Sequence, residues 1–447
     1  MTMKMNMNNS VRSAAERIKN AANGSTSYIA FPDGSLSVAG TPDGNNCLLS
    51  LYCGASDSGK TEAIKLTIPV FNGSMVIISR DDKLYKQFHE ELEAKGTGTY
   101  LFSRFDPEDS VSFNPLENMH TGSDVVGYAD IFTEASADEN AQRNSFWTYS
   151  KRLLFNAVLG ALAEGIEGFD KNLFGLYMLI SLFEAEDMKN KEKSRIYRLF
   201  SEHADKYRAR TGKRSGAFEQ FRKFVGLAPE TLSCVILEAQ ASLAALNSAA
   251  VRRITYSSSF SAETLFAEKS AVFVQTDSFG DPKDIILDLF VFSLVNRLCR
   301  FAGAFPDGML PIPTLFVFDD LGSMAKIGNF MSLLSDIRSI RIPAILAVQA
   351  LSQLEINYGK AYTALLNNCD NLIYTGGSDP QTADYFSRVF NVPLETVMDM
   401  PLKHHFIRQR GKEPRLAKTV YYRDICAYLD DAEEMTAACG KERKAAV

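Results

Sequence analysis

Apolar runs in this chain are short. No charge-free stretch outlasts Leu66–Ser79, and that one holds Pro69, Asn72 and Gly73. A membrane-spanning helix needs about 20 mainly apolar residues, so none is expected. The first ten residues, MTMKMNMNNS, hold no apolar segment either. The expectation is a chain without a signal peptide, in the cytoplasm. Cysteine is scarce, seven in 447 residues, an odd number with no CxxC spacing. That argues against a disulfide framework and against a zinc site. Of the five histidines only His404 and His405 are adjacent, and on a strand they would point to opposite faces. A net positive charge is missing too. The formal charge is −6, which excludes a uniformly basic nucleic-acid coat.

Proline is absent from Leu116 to Ala228, although the chain has 15. Proline breaks helix interiors, so its absence permits long helices. Leu153, Leu154, Ala157, Val158, Ala161 and Leu162 recur at three- and four-residue spacing, one face of a helix. Ala239–Val251 is alanine-rich and also reads as helix. Residues 125–255 are expected to form an all-α unit. On either side lie short apolar runs bounded by Gly, Pro, Asp or Asn: Leu48–Cys53, Met75–Ser79, Thr99–Phe102, Ala271–Gln275, Thr314–Phe318, Ala344–Val348 and Leu372–Thr375. Such runs suit strands buried on both faces of a parallel sheet, with helices between them. The fold class is therefore α/β. Residues 26–124 and 256–430 are expected to form one split domain. A helical tail at 1–25 and a solvated tail at 431–447 flank it.

The sharpest motif is Gly54-Ala-Ser-Asp-Ser58-Gly59-Lys60-Thr61, which fits GxxxxGK[ST]. Its glycines let consecutive N–H groups face phosphate oxygens. Gly54, Ser58, Gly59, Lys60 and Thr61 are the candidate nucleotide-binding set. Lys60 would reach the β- and γ-phosphates, and the Thr61 hydroxyl would ligate Mg²⁺. ATP and Mg²⁺ are the implied cofactors. Thr314–Asp320 supplies an acidic strand end: Asp319 to hold Mg²⁺, Asp320 as general base. Gln349 ends the run Ala344–Val348, where an amide could sense the γ-phosphate or simply be a satisfied loop group. Arg338 and Arg341 lie between those strands. One of the two is the candidate arginine finger toward a neighbouring subunit, Arg338 being the one counted with the catalytic set, and a surface ion pair is the plain alternative for both. More than half the chain separates Thr61 from Asp319. An inserted domain explains that gap, and the proline-free helical unit is the obvious insert.

Taken together these residues resemble the TraG/TraD class of type IV coupling proteins, the ATPases of conjugation and secretion. The resemblance lies in FDDLGSMAKIGNFMSLLSDIRSIRIPAILAVQALSQLEINYG, then LLNNCDNLIYTGGSDPQTADYFSRV, and upstream in GASDSGKTEAIKLTIP. Asp81 and Lys83, Ser112-Phe-Asn114-Pro115-Leu116 and Phe146-Trp147 match further motifs, from about residue 45 to 425. The resemblance implies a RecA-like P-loop NTPase domain with a central parallel sheet, interrupted by an all-α domain. It implies ATP hydrolysis in a homo-oligomer, a hexameric ring at the inner face of the cell membrane. The implied partners are single-stranded DNA, a relaxase–DNA complex or effector proteins, and the secretion channel. Two departures stand out. The family's N-terminal transmembrane helices have no counterpart here, so membrane contact would come through a partner protein. The usual Asp-Glu pair is Asp319-Asp320.

The charge is uneven. Lys189–Lys223 holds twelve Lys and Arg against Glu192, Glu202, Asp205 and Glu219, with Tyr197, Tyr207, Phe218 and Phe221 interleaved. That composition suits phosphate contacts and base stacking, or else a solvated helical face. Three functional readings follow. The first is an ATPase that moves DNA or a DNA–protein complex. The second is an ATP-binding cargo adaptor without turnover, suggested by the short Asp320. The third is a DNA-pumping motor of the FtsK or HerA type, which the helical insert disfavours.

Overall fold

The computed structural model describes residues 9–39, 49–120, 122–135, 145–184, 193–276, 284–324 and 326–430. A small antiparallel pair comes first, β1 (Tyr28–Ala30) with β2 (Leu36–Val38). The apolar runs become strands β3 (Leu49–Cys53), β4 (Ser74–Ser79), β5 (Gly98–Phe102) and β6 (Ser270–Gln275). β7 (Thr314–Phe318), β8 (Ala344–Val348) and β9 (Asn371–Tyr374) follow. Two more, β10 (His404–Gln409) and β11 (Arg415–Lys418), have no counterpart among the runs. β10 has only Phe406 and Ile407 as apolar residues between polar ones, and β11 has no buried position, so no continuous apolar signal marks them.

The large sheet runs β11-β10-β9-β3-β8-β7-β4-β6-β5. Every neighbouring pair from β9 to β5 is parallel, and β10 and β11 add an antiparallel edge. Successive residues feed opposite faces. Leu51, Val76, Ile78, Phe316, Phe318 and Leu346 join one core, whereas Tyr52, Met75, Ile77, Leu315, Val317 and Ile345 join the other. His404 and His405 sit on β10, where His405 is fully buried and its Nδ1 lies 2.9 Å from the Thr419 hydroxyl.

Between Gly122 and Ala267 every regular element among the described residues is helical. The Ser145–Glu164 helix packs on Gly122–Ala135 and Gly216–Val225. The alanine-rich stretch is not one helix. Pro229–Leu243 ends in a 3-10 turn, and Ser248, in extended backbone, starts Ala249–Thr255 by accepting from the Val251 N–H at 3.3 Å. The chain bends by 79° there. A serine at an N-cap competes with helix continuation, which alanine content does not reveal. Among the described residues no single helix is long and apolar enough to cross a membrane.

The helical unit joins the sheet at a hydrogen-bonded neck. Ser259 N–H donates to Ser112 O at 2.9 Å, Phe113 N–H to Ile254 O at 2.7 Å, and Asn114 N–H to the Ser258 hydroxyl at 3.0 Å. β5 and β6, which lead out and back, are themselves paired. The apolar core is continuous across this neck, from Leu154 and Phe155 in the helices to Val274 and Phe316 in the sheet. The N-terminal segment is more than a tail. Its helix Asn9–Ala22 buries Ala14, Ala15 and Ile18 against Val420 and Ile425. Residues 431–447, expected to be a solvated tail, lie outside the described residues.

A shared core predicts shared unfolding. Trp147, the chain's one tryptophan, lies in the helical unit. In urea its fluorescence and the far-UV circular dichroism of the whole chain are expected to give one midpoint. Leu154→Ala is expected to lower that midpoint, at a cost of about 2–5 kcal/mol. Two separate midpoints would contradict the coupling.

Candidate functional site

β3 ends at Cys53, and the chain turns at once into the glycine-rich loop. The carboxyl ends of both flanking strands hold that loop. Gly54 N–H donates to Val348 O on β8 at 3.1 Å, and Ala55 N–H to Gly376 O beyond β9 at 2.7 Å. The Ser58 hydroxyl lies 2.6 Å from the Thr375 hydroxyl, which donates to Cys53 O at 3.3 Å. Two glycines are required by this geometry. A Cβ on Gly54 would fall 2.2 Å from Thr375 Oγ1 and 2.7 Å from Gly376 O. Gly59 has φ +107°, a backbone that favours glycine, and it opens the helix Lys60–Thr67.

Lys60 is buried, and its ammonium donates to the loop's own carbonyls, Gly54 O at 2.6 Å and Ala55 O at 2.7 Å. Burial pushes its pKa down, against the pull of Asp320 and Asp319. The Thr61 hydroxyl donates to the Asp319 carboxylate, at 3.2 and 3.1 Å to the two oxygens. Burial pushes Asp319 up to about 6. Asp320 adds to the rise, while the Thr61 hydrogen bond and Lys60 oppose it. A hydroxyl and a carboxylate at the head of a phosphate loop form an oxygen-only donor pair. That chemistry fits a hard divalent cation such as Mg²⁺.

Asp320 follows in left-handed backbone, φ +67°, so the chain crosses over as it leaves β7. Asp319 N–H still bonds Ile78 O of β4 at 2.8 Å, whereas Leu321 N–H bonds Ala347 O of β8 at 2.7 Å. Strain of this kind gathers at functional sites. Two side chains hold the Asp320 carboxylate. Gln349 Nε2 donates to its oxygens at 3.1 and 3.2 Å, and Arg80 Nη1 to Oδ2 at 3.2 Å. Gln349 thus sits beside the acidic pair.

The structure brings together Gly54, Ser58, Gly59, Lys60, Thr61, Asp319, Asp320 and Gln349. It does not bring Arg338 to them. Arg338 ends the helix before β8, at the amino ends of the strands, where it bonds Asn368 O at 3.2 Å and lies 3.6 Å from Asp370 Oδ1. The five residues of β8, at about 3.3 Å each, separate it from Gln349. Arg341, with φ +60°, lies at that same end. Arg80 was not apparent from the motifs. The signal that would have found it is its place at the end of β4, the strand beside β7. Asp81 and Lys83, close behind, form an ion pair of 2.6 Å.

The basic segment divides into two behaviours. Lys193, Arg195, Arg198, Lys206, Arg208 and Arg210 are all exposed, as are the basic residues from Lys213 to Lys223. Its aromatics mostly turn inward. Phe221 is fully buried and stacks on Phe200 with ring centroids 4.3 Å apart, and Tyr197 and Phe218 pack around it. These three rings therefore hold helices together and are not a stacking surface for bases. Lys189, Lys191 and Glu192 lie outside the described residues.

Residues 6–390 match the family described as Type IV secretory system Conjugative DNA transfer. The chain belongs to that family. The bacterial conjugative coupling protein TrwB, lacking its first 70 residues, has a similar structure. Its TM-score is 0.64 at 15% identity, covering 91% of each chain. TrwB with the GTP analogue GDPNP gives 0.65 at 15% identity, covering 91% of this chain and 92% of the other. VirB4 of Thermoanaerobacter pseudethanolicus gives 0.51 at 12% identity, covering 90% and 98%. No curated protein sequence matches the chain. The fold is that of a RecA-like P-loop NTPase carrying an all-α domain.

The tight fit around Gly54 is open to a direct test. Gly54→Ala is expected to destabilise the chain by about 1–3 kcal/mol in urea unfolding. Gly122→Ala, where a Cβ would meet nothing within 4 Å, is expected to change stability little. Equal midpoints for the two variants would contradict the clash.

Proposed function

We propose that the chain is an ATP-hydrolysing coupling protein. It recruits single-stranded DNA, a relaxase–DNA complex or an effector protein and moves it to a type IV secretion channel. The observation that carries this reading is the convergence of Lys60, Thr61, Asp319, Asp320 and Gln349 at one end of the sheet, in a chain of this family. Residues 26–124 and 256–430 do the nucleotide work, and the helical unit, 125–255, meets cargo. Solved TrwB structures hold an ATP analogue, a GTP analogue, and ADP with Mg²⁺. Here ATP is the substrate and Mg²⁺ the cofactor. The protein works as a hexameric ring in the cytoplasm, at the inner face of the membrane, and a partner protein supplies the anchorage.

Each residue has a distinct task. Lys60 exchanges the loop carbonyls for the β- and γ-phosphates. Thr61 and Asp319 hold Mg²⁺, and at neutral pH Asp319 is ionised because its value is about 6. When bound, Mg²⁺ neutralises charge building on the phosphate oxygens. Asp320 takes a proton from the water whose oxygen bonds to the terminal phosphorus. The bond to the ADP oxygen breaks, leaving ADP and inorganic phosphate. Gln349 orients the Asp320 carboxylate throughout, and Arg80 must release it before it can accept the proton.

The test is phosphate release with and without single-stranded DNA. Single-stranded DNA is expected to stimulate hydrolysis, and Lys60→Ala to abolish it. No hydrolysis by a well-assembled ring, with or without DNA, would overturn the reading. It would favour an ATP-binding adaptor without turnover, to which the Arg80 and Gln349 bonds on Asp320 lend weight.

Arg338 completes the site of a neighbouring subunit in this reading, since it stands at the opposite end of its own sheet. An arginine finger contributes about 10³-fold or more to turnover. Arg338→Ala and Lys60→Ala are each expected to be inactive alone, and their mixture to recover part of the wild-type rate. A mixture that stays inactive, or an active Arg338→Ala, would rule this role out.

A further inference from the structure

We propose that Tyr421, flanked by Arg423, is the platform for the nucleotide base. The proposal rests on the nucleotide reading above and extends it to residues outside every motif. A cavity of about 240 Å³ is lined by Asp57, Gly59, Lys60, Thr61 and Glu62 together with Tyr421 and Arg423. Lys60 fixes its phosphate end. A nucleotide held there by its phosphates extends its base into this cavity, and the aromatic ring in the lining is Tyr421.

The ring is half-buried and attended by cations. The Arg423 guanidinium lies 5.4 Å from its centroid and Lys403 Nζ 5.6 Å. Both cations lie over the ring, so a base stacks on Tyr421 by taking the place of one of them, as one cation–π partner exchanged for a π-face.

The segment that carries Tyr421 is also tied to the phosphate loop and its helix. Tyr422 N–H donates to Glu62 Oε2 at 3.0 Å, and Lys65 holds the other Glu62 oxygen at 2.9 Å. Thr419 N–H donates to Lys403 O at 2.7 Å, and the Thr419 methyl sits 3.2 Å from where a Gly59 Cβ would be. Tyr421 thus lies between two anchors, one on the loop glycine and one on the first turn of the helix. Its position follows the loop's own. A ring serving packing alone would have no need to face the cavity that holds Lys60.

The experiment is calorimetric titration of the full chain, in Mg²⁺, with ATP and with inorganic tripolyphosphate. Wild type is expected to bind both. Tyr421→Ala is expected to weaken ATP about ten-fold and to leave tripolyphosphate within about two-fold. Tyr421→Leu, which keeps bulk without an aromatic face, is expected to behave like Tyr421→Ala, and Tyr421→Phe like wild type. If ATP affinity survives Tyr421→Ala, or both probes weaken equally, the platform is overturned while the phosphate site stands. If wild type binds neither probe, the nucleotide reading itself fails and the platform falls with it.

Discussion

The hydrogen bond from Thr61 to Asp319 spans 258 positions of sequence. The rest of the molecule is arranged so that it can form. One partner starts a helix after β3 and the other ends β7, with β8 between the two strands. For them to meet, three parallel strands must end level, since a slip of one residue would turn every side chain to the other face. The register is set by alternate burial: Leu51 and Leu346 face one core, Tyr52 and Ile345 the other. The geometry of the site is thus a product of core packing on both faces of the sheet.

Around that bond the polar groups support one another. The phosphate loop is held from β8 and β9, and the acidic turn from β4 and β8. Asp320 takes a left-handed backbone, and Gln349 holds its carboxylate in place before any ligand arrives, while the Arg80 bond covers one of its oxygens. Preorganisation of this kind costs local strain, and the buried strands on either side make it sustainable. Arg338, by contrast, belongs to the other end of the sheet. The two ends of the sheet therefore differ in chemistry, with the phosphate loop and acidic pair at one and Arg338 with Asp370 at the other.

Much of this was legible in the sequence, for identifiable reasons. A strand buried on both faces must be apolar throughout, so β3, β4 and β6 to β9 announce themselves. β10 and β11 do not, because edge strands mix exposed and buried positions. The phosphate loop is local and therefore readable. Arg80 and Tyr421 reach the site only through tertiary packing: Arg80 could be found only by knowing that β4 lies beside β7, and nothing at Tyr421 signals its place. The basic segment misleads in the other direction. Its charges are exposed as composition suggests, but Phe221 and its neighbours are core. Counting aromatics does not reveal which way a helix turns.

The neck of the helical unit has a consequence for how such a chain can change over generations. Ser112 to Asn114 and Ile254 to Phe260 lie side by side, zipped by backbone and hydroxyl bonds. The sheet therefore sees only two adjacent ends, whatever stands between them. Residues beyond the neck and its shared apolar seam are free to lengthen, shorten or change charge without altering how far Thr61 lies from Asp319. A lineage can remodel the helical unit while the phosphate loop and the acidic turn keep their spacing.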